Sequence, residues 1–169
     1  VFLKDGQTVA QADLTLPGSV NFGFTQSLSD NWRIMAEAEF TNWSVYEEIV
    51  LTADNGPTPL IDEQNYDDSW MAALGAEYDW SDVLTLRAGV GFDQTPTTDE
   101  FRTTRVPDGD RVWVSAGFSW EVTERFGVDA AYTFIEVPDD PQVDLRRVPA
   151  TATYDGQVHI IGLNGRYRF

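Results

Sequence analysis

Apolar and polar residues alternate with period two in seven separate stretches of this chain, a pattern that only a sheet with two different faces can use. In Asp13–Leu28 the even positions are Leu14, Leu16, Val20, Phe22, Phe24 and Leu28, and the odd ones include Asp13, Thr15, Ser19, Asn21, Thr25 and Ser27. Successive side chains of a strand point to opposite faces, so every apolar group here lands on one side. The alternation recurs in Trp32–Phe40, Trp70–Trp80, Leu84–Phe92, Val112–Val122 and Phe126–Phe134, and with opposite parity in Ile161–Phe169. Ten residues at about 3.3 Å each, tilted by roughly 40°, span the ~25 Å apolar band of an outer membrane. The stretches read as the wall of an antiparallel, up-and-down, all-β transmembrane barrel.

Bulk properties agree with this reading more than they dictate it. Mean hydropathy is −0.30, and no apolar run approaches the ~18 residues of a membrane helix. Barrel strands escape hydropathy scans because half of their residues face the lumen. The net charge of −17 over 169 residues argues against nucleic acid as a partner and against electrostatic adhesion to anionic lipid. With no cysteine, disulfide scaffolds and thiolate metal sites are excluded.

The connections fall into two classes. Ser29-Asp30-Asn31, Ser81-Asp82 and the Thr123-Glu124 region are hairpin-tight, with Trp32, Trp80, Trp120 and Phe126 beside them. Aromatic rings at strand ends suit an interfacial girdle. The other connections, Asp54–Asp67, Gln94–Asp110 and Glu136–Gln157, are long, acidic and rich in Pro and Thr. Outer-membrane barrels have short periplasmic turns and longer extracellular loops, which assigns the long set to the outside.

Sidedness then constrains the strand count. The last strand runs toward the tight-turn side, and so does Asp13–Leu28, giving seven membrane strands where bacterial barrels have even numbers. Either Val1–Gln11 adds an eighth strand, or residues 1–169 are the C-terminal part of a larger barrel. The expectation is the latter: one open segment, a single domain.

The polar half of the alternation supplies the candidate site. Arg33, Glu37, Glu39, Glu77, Asp79, Arg87, Arg125, Asp129, Arg166 and Arg168 are expected to face the lumen. Mixed signs on one face predict cross-strand pairs that brace the wall; a sharper alternative pairs Arg87 or Arg166 with a substrate carboxylate. No catalytic set surrounds His159, the one histidine, and Asp108-Gly109-Asp110 and Asp139-Asp140 read as acidic turns without a full calcium loop. Neither enzyme activity, a metal nor a cofactor is expected. The alternation slips between Phe40 and Trp43, which predicts a β-bulge at Thr41-Asn42. Tyr167 and Phe169 end the chain, in a pattern that resembles the signal barrels present to their insertion machinery.

The run Leu16-Pro17-Gly18-Ser19-Val20, then Asn31-Trp32, Thr41-Asn42-Trp43-Ser44, Asp68-Ser69-Trp70, Leu86-Arg87-Ala88-Gly89-Val90, Thr95-Pro96 and Pro107-Asp108-Gly109-Asp110-Arg111 resembles, in order and spacing, the C-terminal half of FadL-type outer-membrane transporters. The resemblance covers Leu14 to Phe169. It implies about seven strands of a fourteen-stranded, monomeric barrel in a Gram-negative outer membrane, plugged by an N-terminal hatch and surrounded by lipid. It also implies passive uptake of hydrophobic molecules such as long-chain fatty acids, with the hatch and the ligand-capturing loops lying before this region. Two alternatives are a complete small barrel with a structural or adhesin role, and a soluble β-sandwich binding module.

Overall fold

Seven long strands pair, neighbour to neighbour, into one antiparallel sheet. The structure, a computed structural model, describes residues 10–53, 59–138, 141–144 and 150–169. The strands are β1 (Ala10–Asp13), β2 (Ser19–Ser27), β3 (Trp32–Thr41), β4 (Glu48–Ala53), β5 (Leu60–Glu63), β6 (Ser69–Ser81), β7 (Leu84–Asp93), β8 (Arg111–Glu121), β9 (Phe126–Val137), β10 (Gln142–Asp144), β11 (Thr151–Thr153) and β12 (Gly156–Tyr167). The large sheet has the order β12-β9-β8-β7-β6-β3-β2, so each strand lies beside its predecessor in the wall. It is one sheet with β2 and β12 as unpaired edges. A sandwich needs two sheets packed face to face, and a barrel closed by these seven strands alone needs β2 and β12 paired; among the described residues the wall has neither arrangement.

The tight turns are locked by side-chain hydroxyls next to the backbone. Ser29 Oγ accepts from the Asn31 and Trp32 amides at 3.3 and 3.2 Å, and Thr123 Oγ1 accepts from the Phe126 amide at 3.0 Å. Such ST-turns reverse the chain within a few residues. At the opposite end the long connections carry small structures of their own. There β1, β4 and β5 form a three-stranded sheet and β10 pairs with β11. Val143, Thr97 and Arg102 are buried at this end. The Arg102 guanidinium donates to the carbonyls of Thr97 and Gln142, both at 3.0 Å, tying one long loop to another.

In the wall, exposure alternates as the pattern requires. Along β8, from Arg111 to Glu121, each odd residue is half-buried and each even residue exposed. Leu74 and Trp80 on the apolar face are 64% and 65% exposed. A contiguous apolar surface of that kind marks a face that meets an apolar environment, as the lipid-facing side of a barrel does.

Two expectations need correction. Asp13–Leu28 is not one strand: it breaks over Leu14–Gly18, and β1 pairs with β4 outside the wall. Pro17 has no amide to give a ladder, and its ring restricts the residue before it. The slip after Phe40 is not a bulge; β3 ends at Thr41 and Trp43–Val45 forms a 3-10 turn. The irregularity of the wall lies instead between Asp79 and Ser81, where the β6–β7 register shifts. Residues 1–9, on which an eighth strand was weighed, and Asp139-Asp140 lie outside the described residues.

Candidate functional site

The register of seven strands sorts the polar face into levels. One level aligns Arg33, Glu77, Arg87, Gly117, Ala131 and Gly162, and the next toward the tight turns aligns Asp79, Thr85, Ser119, Asp129 and Asn164. Arg33 donates from Nε to Glu77 at 2.5 Å and from Nη2 to Asp79 at 2.9 and 3.0 Å. The other oxygen of Glu77 accepts from Arg87 Nε. Arg87 Nη1 donates to Ser119 Oγ at 2.6 Å, Ser119 donates to Asp129 at 2.6 Å, and Asn164 donates to the second Asp129 oxygen at 3.0 Å. One hydrogen-bonded path thus crosses from β3 to β12. Hydrogen bonds to charged groups are stronger than neutral ones, so this path ties the neighbouring strands together.

The other expected residues sort around that path. Arg166 pairs with Glu121, and Arg168 lies 3.8 Å from the same carboxylate, at the tight-turn end. Arg125 sits in the β8–β9 turn, where its carbonyl accepts from the Arg168 amide at 2.8 Å. Glu37 and Glu39 stand toward the long loops, where Asn21 donates to both, at 2.6 and 3.3 Å. Near them Arg111 pairs with Asp93 at 2.8 Å.

Between these charged levels lie two levels that sequence reading passed over. One runs Met35, Gly75, Gly89, Ser115, Thr133, Ile160; the other runs Ala73, Gly91, Trp113, Ile135, Val158. The only charged group aligned with them is Glu37, at the β3 end. Two shallow cavities open over this belt. One of about 530 Å³ straddles its edge with the charged level, lined by Gly89 and Ser115 of the belt and by Arg87 and Gly117, and one of about 380 Å³ is lined by Met35, Gly75, Gly89 and Trp113. The signal for the belt was available, since Gly and Ala replace charges at odd positions in mid-strand.

Above the wall the loops build a second cluster. Trp43, Tyr46 and Tyr66 pack with ring centroids 5.2 to 6.1 Å apart. Burial pushes the Tyr66 phenol above its ordinary pKa, and neighbouring Tyr46, Asp108 and Asp62 push the same way. Asp68 accepts from the Ser44 amide at 2.9 Å and from Asn42 at 3.1 Å, which holds its carboxyl below the usual range. His159 stands on the apolar face with its Nδ1 2.7 Å from the Tyr132 hydroxyl, away from any acid or nucleophile of the polar face. Tyr167 and Phe169 pack edge to face at 5.2 Å at the end of β12.

Comparison with known proteins places this geometry in context. The model of a family described as outer membrane protein transport protein (OMPP1/FadL/TodX) matches residues 3–169. The chain is 30% identical over 156 residues to the 47 kDa outer membrane protein of Pasteurella multocida, covering 92% of this chain and 36% of that protein. It is 26% identical over 156 residues to the long-chain fatty acid transport protein of Escherichia coli, covering 92% and 34%. The crystal structure of a Pseudomonas aeruginosa FadL homologue superposes with a TM-score of 0.70 at 28% identity, covering 94% of this chain and 37% of that one. The chain therefore spans about a third of the length of these relatives.

Proposed function

Because the chain belongs to the OMPP1/FadL/TodX family of outer-membrane transport proteins, we propose that it forms part of the wall of a passive transporter for hydrophobic molecules such as long-chain fatty acids. Its location is the Gram-negative outer membrane, as for the relatives named outer membrane proteins. The polar face lines the lumen, and residues 1–169 act as one barrel segment within a monomer inserted by the barrel-insertion machinery. The carriage itself involves no covalent step.

One observation carries this reading: an apolar belt on the inner face, set between the Arg33–Glu77–Arg87 level and the Asp93–Arg111 level. The span from Arg87 to Asp93 is six residues, or about 20 Å of strand. A water-filled pore would continue its charges through that length. A belt of Met, Gly, Ala, Ile, Val and Trp, with Ser115 and Thr133 bonded to each other at 2.9 Å and Glu37 its one charged member, instead favours a passage for apolar solutes. The ladder below it braces the wall, because each of its members has its hydrogen-bond demand met by another strand.

The test is uptake. The complete barrel that contains residues 1–169, expressed in a Gram-negative host lacking its own transporter of this family, is expected to raise entry of labelled hexadecanoic acid several-fold over an empty vector. Heat-modifiable mobility in detergent verifies that the barrel is folded. A folded barrel with uptake equal to the vector rejects the reading.

A further inference from the structure

The inner face of the seven wall strands carries a single aromatic side chain. Phe22, Trp70, Phe92, Phe118, Tyr132 and the other rings of these strands occupy apolar-face positions in the register, whereas Trp113 stands with Ala73, Gly91, Ile135 and Val158 on the inner one. Its position is also unusual in detail. A Cβ placed on Gly91, directly across on β7, would run into the Trp113 indole at Cε2, Cζ2 and Nε1. The indole therefore lies flat over the neighbouring strand, in space that only glycine leaves open, and Gly91 is buried beneath it.

We propose that Trp113, held flat by Gly91, sets the clearance of the lumen at mid-wall and discriminates hydrophobic solutes by their bulk. The proposal rests on the uptake reading above and adds a residue that decides which apolar molecules pass. Flat against the wall, the indole projects little into the passage and offers a π-face to an alkyl chain or ring. Tilted inward, it would obstruct the same level. Glycine at position 91 selects the first state by sterics alone, since any larger residue expels the ring. The cavity of about 380 Å³ bounded by Trp113, Met35, Gly75 and Gly89 is the space at stake.

The pair makes opposite predictions for its two members. Uptake of linear hexadecanoic acid and of bulky pyrene-labelled dodecanoic acid is measured in the host described above, and their ratio is taken. Trp113→Ala is expected to raise the bulky-to-linear ratio by about fivefold or more, within the range one hydrophobic contact commands in substrate choice. Gly91→Ala is expected to lower it, because the displaced indole enters the passage, and Gly91→Ala with Trp113→Ala returns to the single Trp113→Ala value. Trp113→Phe serves if the alanine variant does not insert, with a smaller rise. A residue that only packs the wall would change both substrates in proportion, so an unchanged ratio in folded variants overturns the proposal. Wild-type protein that carries neither probe rejects the uptake reading itself, and this inference falls with it.

Discussion

Arg33 reaches across the β3–β6 pair to Glu77, donating from Nε at 2.5 Å, while the second oxygen of the same carboxylate holds Arg87 of β7. Glu77 is thus the hinge point of two cations, with its side chain only 15% exposed. Replacing it by Gln removes the charge from the centre of the path, takes the paired carboxylate from Arg87 and leaves Arg33 with Asp79 alone. The expected loss is about 1–3 kcal/mol, between exposed and fully buried pairs. Unfolding of the detergent-solubilised protein, followed by tryptophan emission, measures it. Arg87→Met added to Glu77→Gln should cost clearly less than the sum of the two singles, since both break the same path. Additive costs would mean that the levels do not act together.

How much of this was legible beforehand follows from what each feature depends on. The wall strands were readable because two-residue periodicity is imposed on every strand that separates lipid from lumen, as in Val112–Val122. The same signal misled at Leu14 and Leu16, whose parity continues through Pro17-Gly18 although the ladder cannot. The parity singled out the charged members of the ladder, but which of them pair could not be read from it. Pairing depends on register, which the turn at Ser29–Asn31 and the shift between Asp79 and Ser81 determine. Short strands such as β4 and β5 carry no periodic signal of their own and exist through tertiary pairing. Trp113 was visible as a ring of the wrong parity, yet its meaning required knowing that residue 91 opposite is glycine.

Adjacent residues on β6 provide a direct test of which face meets lipid. Leu74 lies mid-strand on the exposed apolar face, and Ala73 points the other way, aligned with Glu37. Leu74→Arg puts a guanidinium into hydrocarbon at a cost of about 2–4 kcal/mol near the bilayer midplane. Ala73→Arg gains an acidic neighbour instead. The expected result is a sharp fall in folded, membrane-inserted protein for the first and near-normal insertion for the second. Equal insertion of the two variants would reverse the assignment of the faces.

Acid should loosen the loop at Asp68. Hydrogen bonds from Ser44 and Asn42 depress the pKa of this carboxyl on folding. A group whose folded pKa is depressed contributes stability above its unfolded value, near 3.9. That contribution is lost as pH falls through the lower, folded pKa. Amide exchange at Ser44 should therefore stay slow at pH 5 and accelerate only below about pH 4, after correction for the intrinsic pH dependence of exchange. Asp68→Asn should lack this acid-dependent step, and exchange at Ser44 that is pH-independent in the wild type would show that the carboxylate does not cap the turn.

The end of the chain separates assembly from stability. Ile161, Leu163, Tyr167 and Phe169 share the apolar face of the last strand region, and β12 is an edge of the sheet with its outer hydrogen-bonding groups unpaired. An edge with regularly spaced apolar anchors can add as a strand to another sheet, with side-chain pockets supplying specificity. Phe169 is fully exposed and touches Tyr167 only edge to face at 5.2 Å, so the folded wall loses little when it is removed. If the pair is a docking signal for the insertion machinery, deleting Phe169 from the protein as expressed in cells should leave export to the periplasm intact and sharply lower outer-membrane insertion. The same deletion should insert normally when the purified, unfolded protein is refolded into detergent, where no machinery reads the strand. A girdle role alone predicts a small effect in both settings, because an interfacial ring contributes least where the bilayer is already polar. Comparing the periplasmic and outer-membrane fractions of the deletion with its refolding yield distinguishes the two roles.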